Sequence, residues 1–159
     1  MAPTIVLITG ASRGIGRGIF ELYVAKPNHI VIAANRNPSQ PESQELLALP
    51  AGEGTTVKLV QLDATKEGEA KQAAETLLAD GIDHIDILIM NAGIALAWPT
   101  LDDVTIDEIK VHMETNVYGF VRVYQGLVAL LKAAKDPKLV TIGSSAAYLT
   151  VSLGSTSFF

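Results

Sequence analysis

The sequence predicts an α/β fold, a doubly wound parallel sheet with helices on both faces in a three-layer arrangement. Short apolar runs rich in β-branched residues alternate with longer segments of helix-forming residues. The apolar runs are nearly continuous, which indicates strands that are buried on both faces, as in parallel sheets. The chain has 159 residues, which suits one domain, and it shows no repeat or linker.

The first half of the chain contains three predicted strands and two predicted helices. The strands are expected at residues 4–9, 30–34 and 56–62. A helix over residues 15–26 has one wide apolar face and is ended by Pro27. That face includes Ile15, Ile19, Phe20, Leu22, Tyr23 and Val24. A shorter helix over residues 42–49 follows a loop that contains prolines.

The second half continues the alternation. It is predicted to contain a helix at residues 66–79, a strand at 85–90, a long helix from 105 to about 135, and a strand at 139–142. The long helix begins with a capping box, in which Thr105 and Glu108 each bind the other's backbone amide. From Gly143 onward serine is frequent and no further helix is predicted. Residues 1–145 are therefore assigned to one α/β domain and residues 146–159 to an irregular tail.

Composition and charge argue against several classes of function. The net charge is −5 without a basic face, so no nucleic-acid partner is predicted. The absence of cysteine excludes disulfides, thiolate metal sites and cysteine nucleophiles. His29, His84 and His112 lack metal-ligand spacing and are interpreted as surface or strand-end residues, so no metal is predicted. No apolar run reaches the ~18 residues of a membrane helix, and the start lacks signal-peptide features, so a cytoplasmic location is expected.

The turn between the first strand and the first helix has the pattern T-G-x-x-x-G-x-G. The start of a helix after a parallel strand presents free backbone N–H groups and a positive dipole end to phosphates. Here Gly10 would allow a sharp turn, Gly14 the close approach of a diphosphate, and Gly16 tight helix-on-strand packing. A tight turn without a ligand is the alternative, and a mononucleotide P-loop is disfavoured because no Gly-Lys-Ser/Thr follows.

This glycine pattern resembles the cofactor turn of the short-chain dehydrogenase/reductase family, and four further motifs follow in the family's order. They are Leu62-Asp63, Asn91-Ala92-Gly93, Asn116 in T-N-V-Y-G, and Ser144-Ser145 after the fifth strand. The resemblance covers residues 4–145 and implies a Rossmann-type domain. The sequence around the motifs is also similar to a fungal subgroup typified by norsolorinic acid ketoreductase.

The resemblance implies roles for the matched residues. The implied cofactor-binding residues are Thr9, Gly10, Ser12, Arg13, Gly14, Ile15, Gly16, Arg36, Asp63, Asn91, Ala92 and Gly93. Asn116 would hold a water that relays a proton, and Ser144 would hold the substrate oxygen, with Ser145 as the alternative to Ser144. Each motif also has a structural alternative, such as helix capping by Asp63, strand-end bonding by Asn91 or a turn role for the serines.

The residues after the second strand favour NADP over NAD. An acid at this position would bind the ribose of NAD, but the sequence has Asn35-Arg36. Arg36 can bind a 2′-phosphate through parallel hydrogen bonds. The resemblance makes Arg13 a second basic contact to that phosphate. A solvated loop arginine is the alternative for Arg36.

The family's proton donor is a tyrosine followed four residues later by lysine, and the sequence contains no such pair. The residues at that spacing after Tyr23, Tyr118, Tyr124 and Tyr148 are Pro27, Arg122, Val128 and Ser152. We therefore expect a family domain truncated after about five strands, with at most a small residual rate. Its fifth strand would be an exposed apolar edge that lowers solubility or stability.

Three functional hypotheses follow. The first is an NADP-dependent carbonyl reductase that acts on a small-molecule carbonyl or alcohol and is a homo-oligomer at full length. The second is a non-catalytic NADP-binding module with a regulatory or interaction role, and the third is a fragment that binds nothing. The apolar segment at residues 94–99 fits an aromatic or polyketide-like substrate, although a packed loop is the alternative.

Overall fold

The computed structural model describes residues 2–96 and 99–144 and shows the predicted α/β architecture. Five parallel strands form one sheet in the order β3-β2-β1-β4-β5. The strands are β1 (Thr4–Thr9), β2 (His29–Asn35), β3 (Thr56–Gln61), β4 (Ile87–Met90) and β5 (Lys138–Thr141). From β1 the chain first adds strands on one side, β2 and then β3, and later adds β4 and β5 on the other side. A crevice is expected where the two sides meet, between the carboxyl ends of β1 and β4. The predicted tail at residues 146–159 lies outside the described residues.

Helices cover both faces of the sheet. They are α1 (Gly14–Val24), α2 (Pro41–Gln44), α3 (Glu69–Ala79), α4 (Ile106–Met113) and α5 (Gly119–Ala133). A 3-10 turn, Glu45–Ala48, extends α2, and a π-helical turn, Glu114–Tyr118, joins α4 to α5. Side chains of α1 and of the 3-10 turn pack on one face, and side chains of α3 and α5 pack on the other. The result is the predicted three-layer sandwich.

The central strand β1 shows why its interior residues 5–8 are all apolar. Ile5 and Leu7 belong to the core under α3 and α5, whereas Val6 and Ile8 belong to the core under α1. All four are at most 4% exposed. Successive side chains of a strand point to opposite faces, so a strand covered on both faces needs apolar residues throughout.

The predicted apolar face of α1 is wrong in part. Gly16, Phe20 and Val24, spaced by four residues, are buried against the sheet. Ile15 and Leu22 are 66% and 70% exposed. Successive helical residues are turned by about 100°, so these two side chains lie off the narrow stripe that meets the sheet. The apolar residues of α1 therefore occupy a wider part of the helix surface than the sheet covers.

Several element boundaries differ from the predictions for local reasons. Helix α3 begins at Glu69 instead of residue 66, because Gly68 has a left-handed φ of +83° that interrupts a helix. The long helix ends at Ala133 and is interrupted by the π-helical turn, where the Gly119 N–H donates to the Glu114 carbonyl five residues before it. The fourth strand begins at Ile87, two residues later than predicted.

The predicted capping box at the start of α4 is confirmed. The Glu108 amide donates to Thr105 Oγ1 at 3.2 Å, and the Thr105 amide donates to Glu108 Oε2 at 2.8 Å. The second of these bonds, together with a bond from the Thr105 hydroxyl, holds the pKa of Glu108 below its ordinary value. The capping box therefore favours the ionised form of Glu108.

Acidification is expected to weaken this capping box. A carboxyl group with a lowered pKa stabilises the folded state above its unfolded pKa, and that contribution is lost as the pH falls through the folded value. The wild type should therefore lose its advantage over Glu108→Gln as the pH falls below 4.5, the ordinary value for glutamate. Denaturant unfolding of both proteins at neutral pH and at pH values below that point measures the difference. A difference that did not change with pH would contradict this expectation.

Strand β5 lies at one edge of the sheet. Its residues Leu139 and Val140 are 41% and 40% exposed. This confirms an exposed apolar edge in the described part of the chain, while the effect on solubility stays a prediction. Within residues 2–96 and 99–144, no helix is long and apolar enough to cross a membrane.

Candidate cofactor site

Thr9 ties together the carboxyl ends of β1 and β4. Its hydroxyl accepts hydrogen bonds from the amides of Asn91 and Ala92, both at 3.0 Å. The same hydroxyl donates toward the Ile89 carbonyl at 3.5 Å, and Thr9 is only 1% exposed. The structure therefore brings two of the predicted motifs, T-G-x-x-x-G-x-G and N-A-G, into direct contact.

The Asn91 side chain fixes the start of the glycine turn. Its Nδ2 donates to the carbonyl oxygens of Thr9 and Gly10 at 3.0 and 3.1 Å. These bonds are the strand-end role that was the structural alternative for Asn91 in the sequence analysis. The role supports the site, because it sets the position of the Gly10 carbonyl and hence the path of the turn.

The glycine turn has a backbone that suits few other residues. Gly10 and Gly14 have φ values of +66° and +59°, in the left-handed region that favours glycine. A Cβ on Gly16 would lie 2.3 Å from both Asn91 Nδ2 and the Gly10 carbonyl oxygen, so the tight packing predicted for Gly16 is present. A Cβ on Gly14 would meet no atom within 4 Å, so Gly14 borders open space.

The N-terminus of α1 presents backbone amides without a side-chain cap. Arg13 is the N-cap residue and makes no capping hydrogen bond, and the first turn contains no acidic side chain. Arg13 and Ile15 are exposed and Ser12 is half-buried. The positive end of the dipole of this 11-residue helix is therefore free to interact with an anion at the open side of Gly14.

The end of β2 contributes one exposed cation and one buried amide. Arg36 is exposed, and no described residue forms an ion pair with it or with Arg13. Asn35 is 3% exposed, and its Oδ1 accepts a hydrogen bond from the Ala11 amide at 2.8 Å. Sequence reasoning missed this role of Asn35. A polar residue at the end of a buried apolar strand was the available signal.

Asp63 is held within its own turn after β3. Its Oδ1 accepts hydrogen bonds from the Thr65 amide and hydroxyl at 2.9 and 2.8 Å. Its backbone amide donates to Glu69 Oε2 at 2.7 Å. The Asp63 carboxylate therefore closes a turn before α3 and does not cap that helix, whose N-cap is Gly68. The adenine contact stays a prediction.

Asn116 lies in the π-helical turn and binds the segment after N-A-G. Its Oδ1 accepts from the Ile94 amide at 2.8 Å, and its Nδ2 donates to the Ile94 carbonyl at 2.9 Å. A Cβ on Gly93 would lie 3.3 Å from Asn116 Oδ1, so the two motifs are adjacent. These two bonds explain why an asparagine lies in the π-helical turn in the middle of the long helix. Such turns are frequent at functional sites.

His112 is a second anchor for the same segment, a role that its interpretation as an ordinary surface or strand-end residue did not include. Its Nε2 accepts from the Leu96 amide at 3.2 Å, while its Nδ1 lies 2.7 Å from the Glu108 carbonyl. The four-residue spacing of His112 and Asn116 was a sequence signal for side chains on one helix face.

Removing the Asn116 side chain is expected to loosen this segment with little loss of stability. Asn116→Ala deletes both bonds to Ile94, and each exposed bond contributes only about 1 kcal/mol. Amide hydrogen exchange at Ile94 should therefore become at least about tenfold faster. Asn116→Asp separates the two bonds, because it keeps the acceptor for the Ile94 amide but has no proton to donate to the Ile94 carbonyl, and it should retain only part of the protection. Unchanged exchange in Asn116→Ala would contradict the anchoring role.

Ser144 follows the carboxyl end of β5, at the same end of the sheet as the glycine turn and Asn91. The Ile142 amide donates to the Met90 carbonyl at 3.0 Å, which continues the pairing of β5 with β4 to this point. Ser144 is exposed two residues later, beside the strand that leads to Asn91. Its alternative, Ser145, lies outside the described residues, as does Trp98. In the described ranges, no group of three or more histidine or acidic side chains is placed to hold a metal.

Comparisons with known proteins agree with this geometry. A family model described as short chain dehydrogenase matches residues 4–156. Norsolorinic acid ketoreductase of Emericella nidulans is 36% identical over 148 residues, which are 92% of this chain and 56% of that protein. The structure of NADPH-bound carbonyl reductase from chicken fatty liver has a TM-score of 0.71 at 31% identity, covering 84% of this chain and 54% of that chain.

A Burkholderia cenocepacia short chain dehydrogenase in complex with NADP has a TM-score of 0.74 at 28% identity, with 91% of this chain and 56% of that chain covered. The chain thus spans a little over half the length of the relatives it matches.

Proposed function

The chain belongs to the short-chain dehydrogenase family of oxidoreductases, and from this premise we propose that it binds NADP(H) and forms the cofactor-binding part of a carbonyl reductase. One observation carries the proposal: the uncapped start of α1 borders open space at Gly14, beside the crevice where the strand order reverses. Crevices of this kind bind dinucleotides in open parallel sheets.

The residues of the site fit this cofactor. The amides of Gly14 and Ile15 would bind the diphosphate, and Ala92 and Gly93 would line the nicotinamide side. Arg36 and Arg13 would bind the 2′-phosphate, since both are exposed and no described acidic side chain pairs with them. The neutral Asn35 at the end of β2 supports NADP over NAD, because NAD sites use an acid there.

The chemistry of the whole protein is proposed by the same reasoning. When bound, the nicotinamide supplies a hydride to the substrate carbonyl carbon. Ser144 would hold the substrate oxygen, and Asn116 would hold the Ile94 segment at the active site together with a proton-relay water. We assign no proton donor, since no tyrosine of the 159 residues is followed four positions later by lysine. We therefore expect at most a small residual rate from this chain.

Titration with NADPH and NADH tests the cofactor. NADPH should bind at least about tenfold more tightly than NADH, since a hydrogen bond to a charged group contributes about 1.5–3 kcal/mol. Equal affinities would contradict the NADP assignment, and no affinity for either would contradict cofactor binding. An NADPH-oxidation assay with an aromatic ketone then separates a reductase from the second candidate, a non-catalytic NADP-binding module.

The substrate of the whole protein is proposed to be an aromatic or polyketide-like carbonyl compound. Similarity to norsolorinic acid ketoreductase and the exposed apolar Leu96 beside the site support this class. The cytoplasmic location and the homo-oligomer stay predictions, which cell fractionation and light scattering would check.

A further inference from the structure

The π-helical turn sets the rotation of α4 about the helix axis relative to α5. A turn closed by a hydrogen bond to the fifth preceding residue contains one residue more than an α-helical turn. Each residue advances an α-helix by about 100°, so the extra residue rotates α4 by about that angle relative to an uninterrupted helix. His112 precedes the turn and Asn116 lies within it. The turn therefore determines where the two side chains that bind Leu96 and Ile94 are directed.

Close packing holds α5 in place on the other side of the turn. A Cβ on Gly126 would lie 2.5 Å from Ala70 Cβ in α3, and a Cβ on Gly119 would lie 3.0 Å from Ala64 Cβ. Val123, between these two glycines, is 1% exposed. By contrast, none of the eight residues of α4, all of which are described, is buried. A change in the turn would therefore be taken up by α4 and by the side chains before α5.

An ion pair spans the π-helical turn. Arg122 Nη1 donates to Glu114 Oε1 at 2.6 Å, and the two side chains are 30% and 41% exposed. In an uninterrupted α-helix, residues eight positions apart are turned from one another by about 80°. When the π-helical turn absorbs one residue, that angle falls to about 20°, so the two side chains lie on one face. In an uninterrupted helix Val121, which cannot bond a carboxylate, would occupy that place. The ion pair therefore favours the π-helical turn over an α-helical one.

We propose that Glu114 and Arg122 are positioning residues, whose ion pair holds the π-helical turn and thereby directs Asn116 and His112 at the segment after N-A-G. An ion pair of this exposure contributes little to the stability of the whole chain, so its effect is expected at the turn. The consequence for catalysis rests on the proposed function, whereas the coupling of the ion pair to Ile94 does not.

Amide hydrogen exchange at Ile94, measured without cofactor, tests this coupling. Arg122→Ala should speed that exchange about three- to fivefold, as expected for the loss of a well-formed exposed ion pair. Exchange at the Ala11 amide, which donates to the buried Asn35 Oδ1 in another part of the chain, should change less than about twofold. The reversed pair, Glu114→Arg with Arg122→Glu, should restore most of the protection, because it keeps the attraction.

A parallel change at Leu96 is the signature of a rotated α4. The Leu96 amide donates to His112 Nε2 at 3.2 Å, so Arg122→Ala should speed its exchange as well, whereas a loosening confined to α5 would leave it protected. Arg17→Ala is the matched control, because it breaks an ion pair with Glu21 of similar exposure inside the regular helix α1. It should leave exchange at both reporter amides unchanged.

Unchanged exchange at Ile94 and Leu96 in Arg122→Ala would overturn the proposal, and so would a change at Ile94 alone, because a rotation of α4 affects both. An equal acceleration at Ala11 would overturn it too, since the ion pair would then stabilise the whole chain. If thermal unfolding showed that Arg122→Ala fails to fold, Glu114→Gln would decide, because it keeps the size of the side chain and removes only its charge. Failure of NADPH to bind would contradict the proposed function and leave this coupling standing.

Discussion

Replacing Gly16 by alanine is expected to abolish NADPH binding and to destabilise the folded chain by about 3 kcal/mol, at the upper end of the usual overpacking range. The new Cβ would lie 2.3 Å from Asn91 Nδ2 and from the Gly10 carbonyl oxygen. One of these is backbone, so the turn itself must move. The bonds from Asn91 to Thr9 and Gly10 would then be lost. Urea unfolding and NADPH titration measure the two effects.

Alanine substitutions at Gly18 and Gly14 serve as comparisons for Gly16→Ala, because neither added Cβ would meet an atom within 4 Å. Gly18→Ala adds a Cβ that meets nothing within 4 Å in the middle of α1. It should leave NADPH binding unchanged and stabilise the helix by about 0.5–1 kcal/mol. If Gly18→Ala were as damaging as Gly16→Ala, close packing at Gly16 would not be the cause.

Gly14→Ala separates binding from folding. Its Cβ has no neighbour within 4 Å, but its φ is +59°, so the substitution should destabilise the chain by only about 1–2 kcal/mol. The added methyl group would occupy the space where the diphosphate is proposed to bind. NADPH affinity should therefore fall at least about tenfold, which corresponds to 1.4 kcal/mol. Wild-type affinity in Gly14→Ala would place the diphosphate elsewhere.

Removing the Arg36 side chain is expected to weaken NADPH binding about 10- to 150-fold and to leave NADH binding unchanged. This range corresponds to the about 1.5–3 kcal/mol of hydrogen bonds to a charged group. The effect should shrink at high salt, because Arg36 is exposed and its interactions are screened. Titration of Arg36→Ala with both cofactors at low and high ionic strength measures it.

Arg17→Ala is the matched control for loss of a positive charge. Arg17 lies in α1 but already bonds Glu21 at 2.9 Å and Glu45 at 3.0 Å. Its removal should leave the ratio of NADPH to NADH affinity within about threefold of the wild type, since it adds no phosphate contact and distant exposed charges are screened. A ratio that fell as far as in Arg36→Ala would show that general charge, and not the position of Arg36, selects the cofactor.

Much of the fold could be predicted because its determinants are local in sequence. The apolar run at Thr4–Thr9 specifies a strand buried on both faces, and the glycine spacing specifies a tight turn before a helix. The capping box of Thr105 and Glu108 fixes the start of α4. Each of these patterns acts over a few residues, so no knowledge of distant contacts is needed.

The sequence by itself thus determined the sheet, its parallel strands, the glycine turn and the family to which the chain belongs. Only the tertiary structure decided that Asn35 bonds Ala11, that His112 and Asn116 hold Leu96 and Ile94, and that Ile15 lies outside the core. These pairings join residues 16 to 24 positions apart. Hydrogen bonds require approach to about 3 Å, and that distance is set by how whole elements pack, which spacing along the chain does not encode.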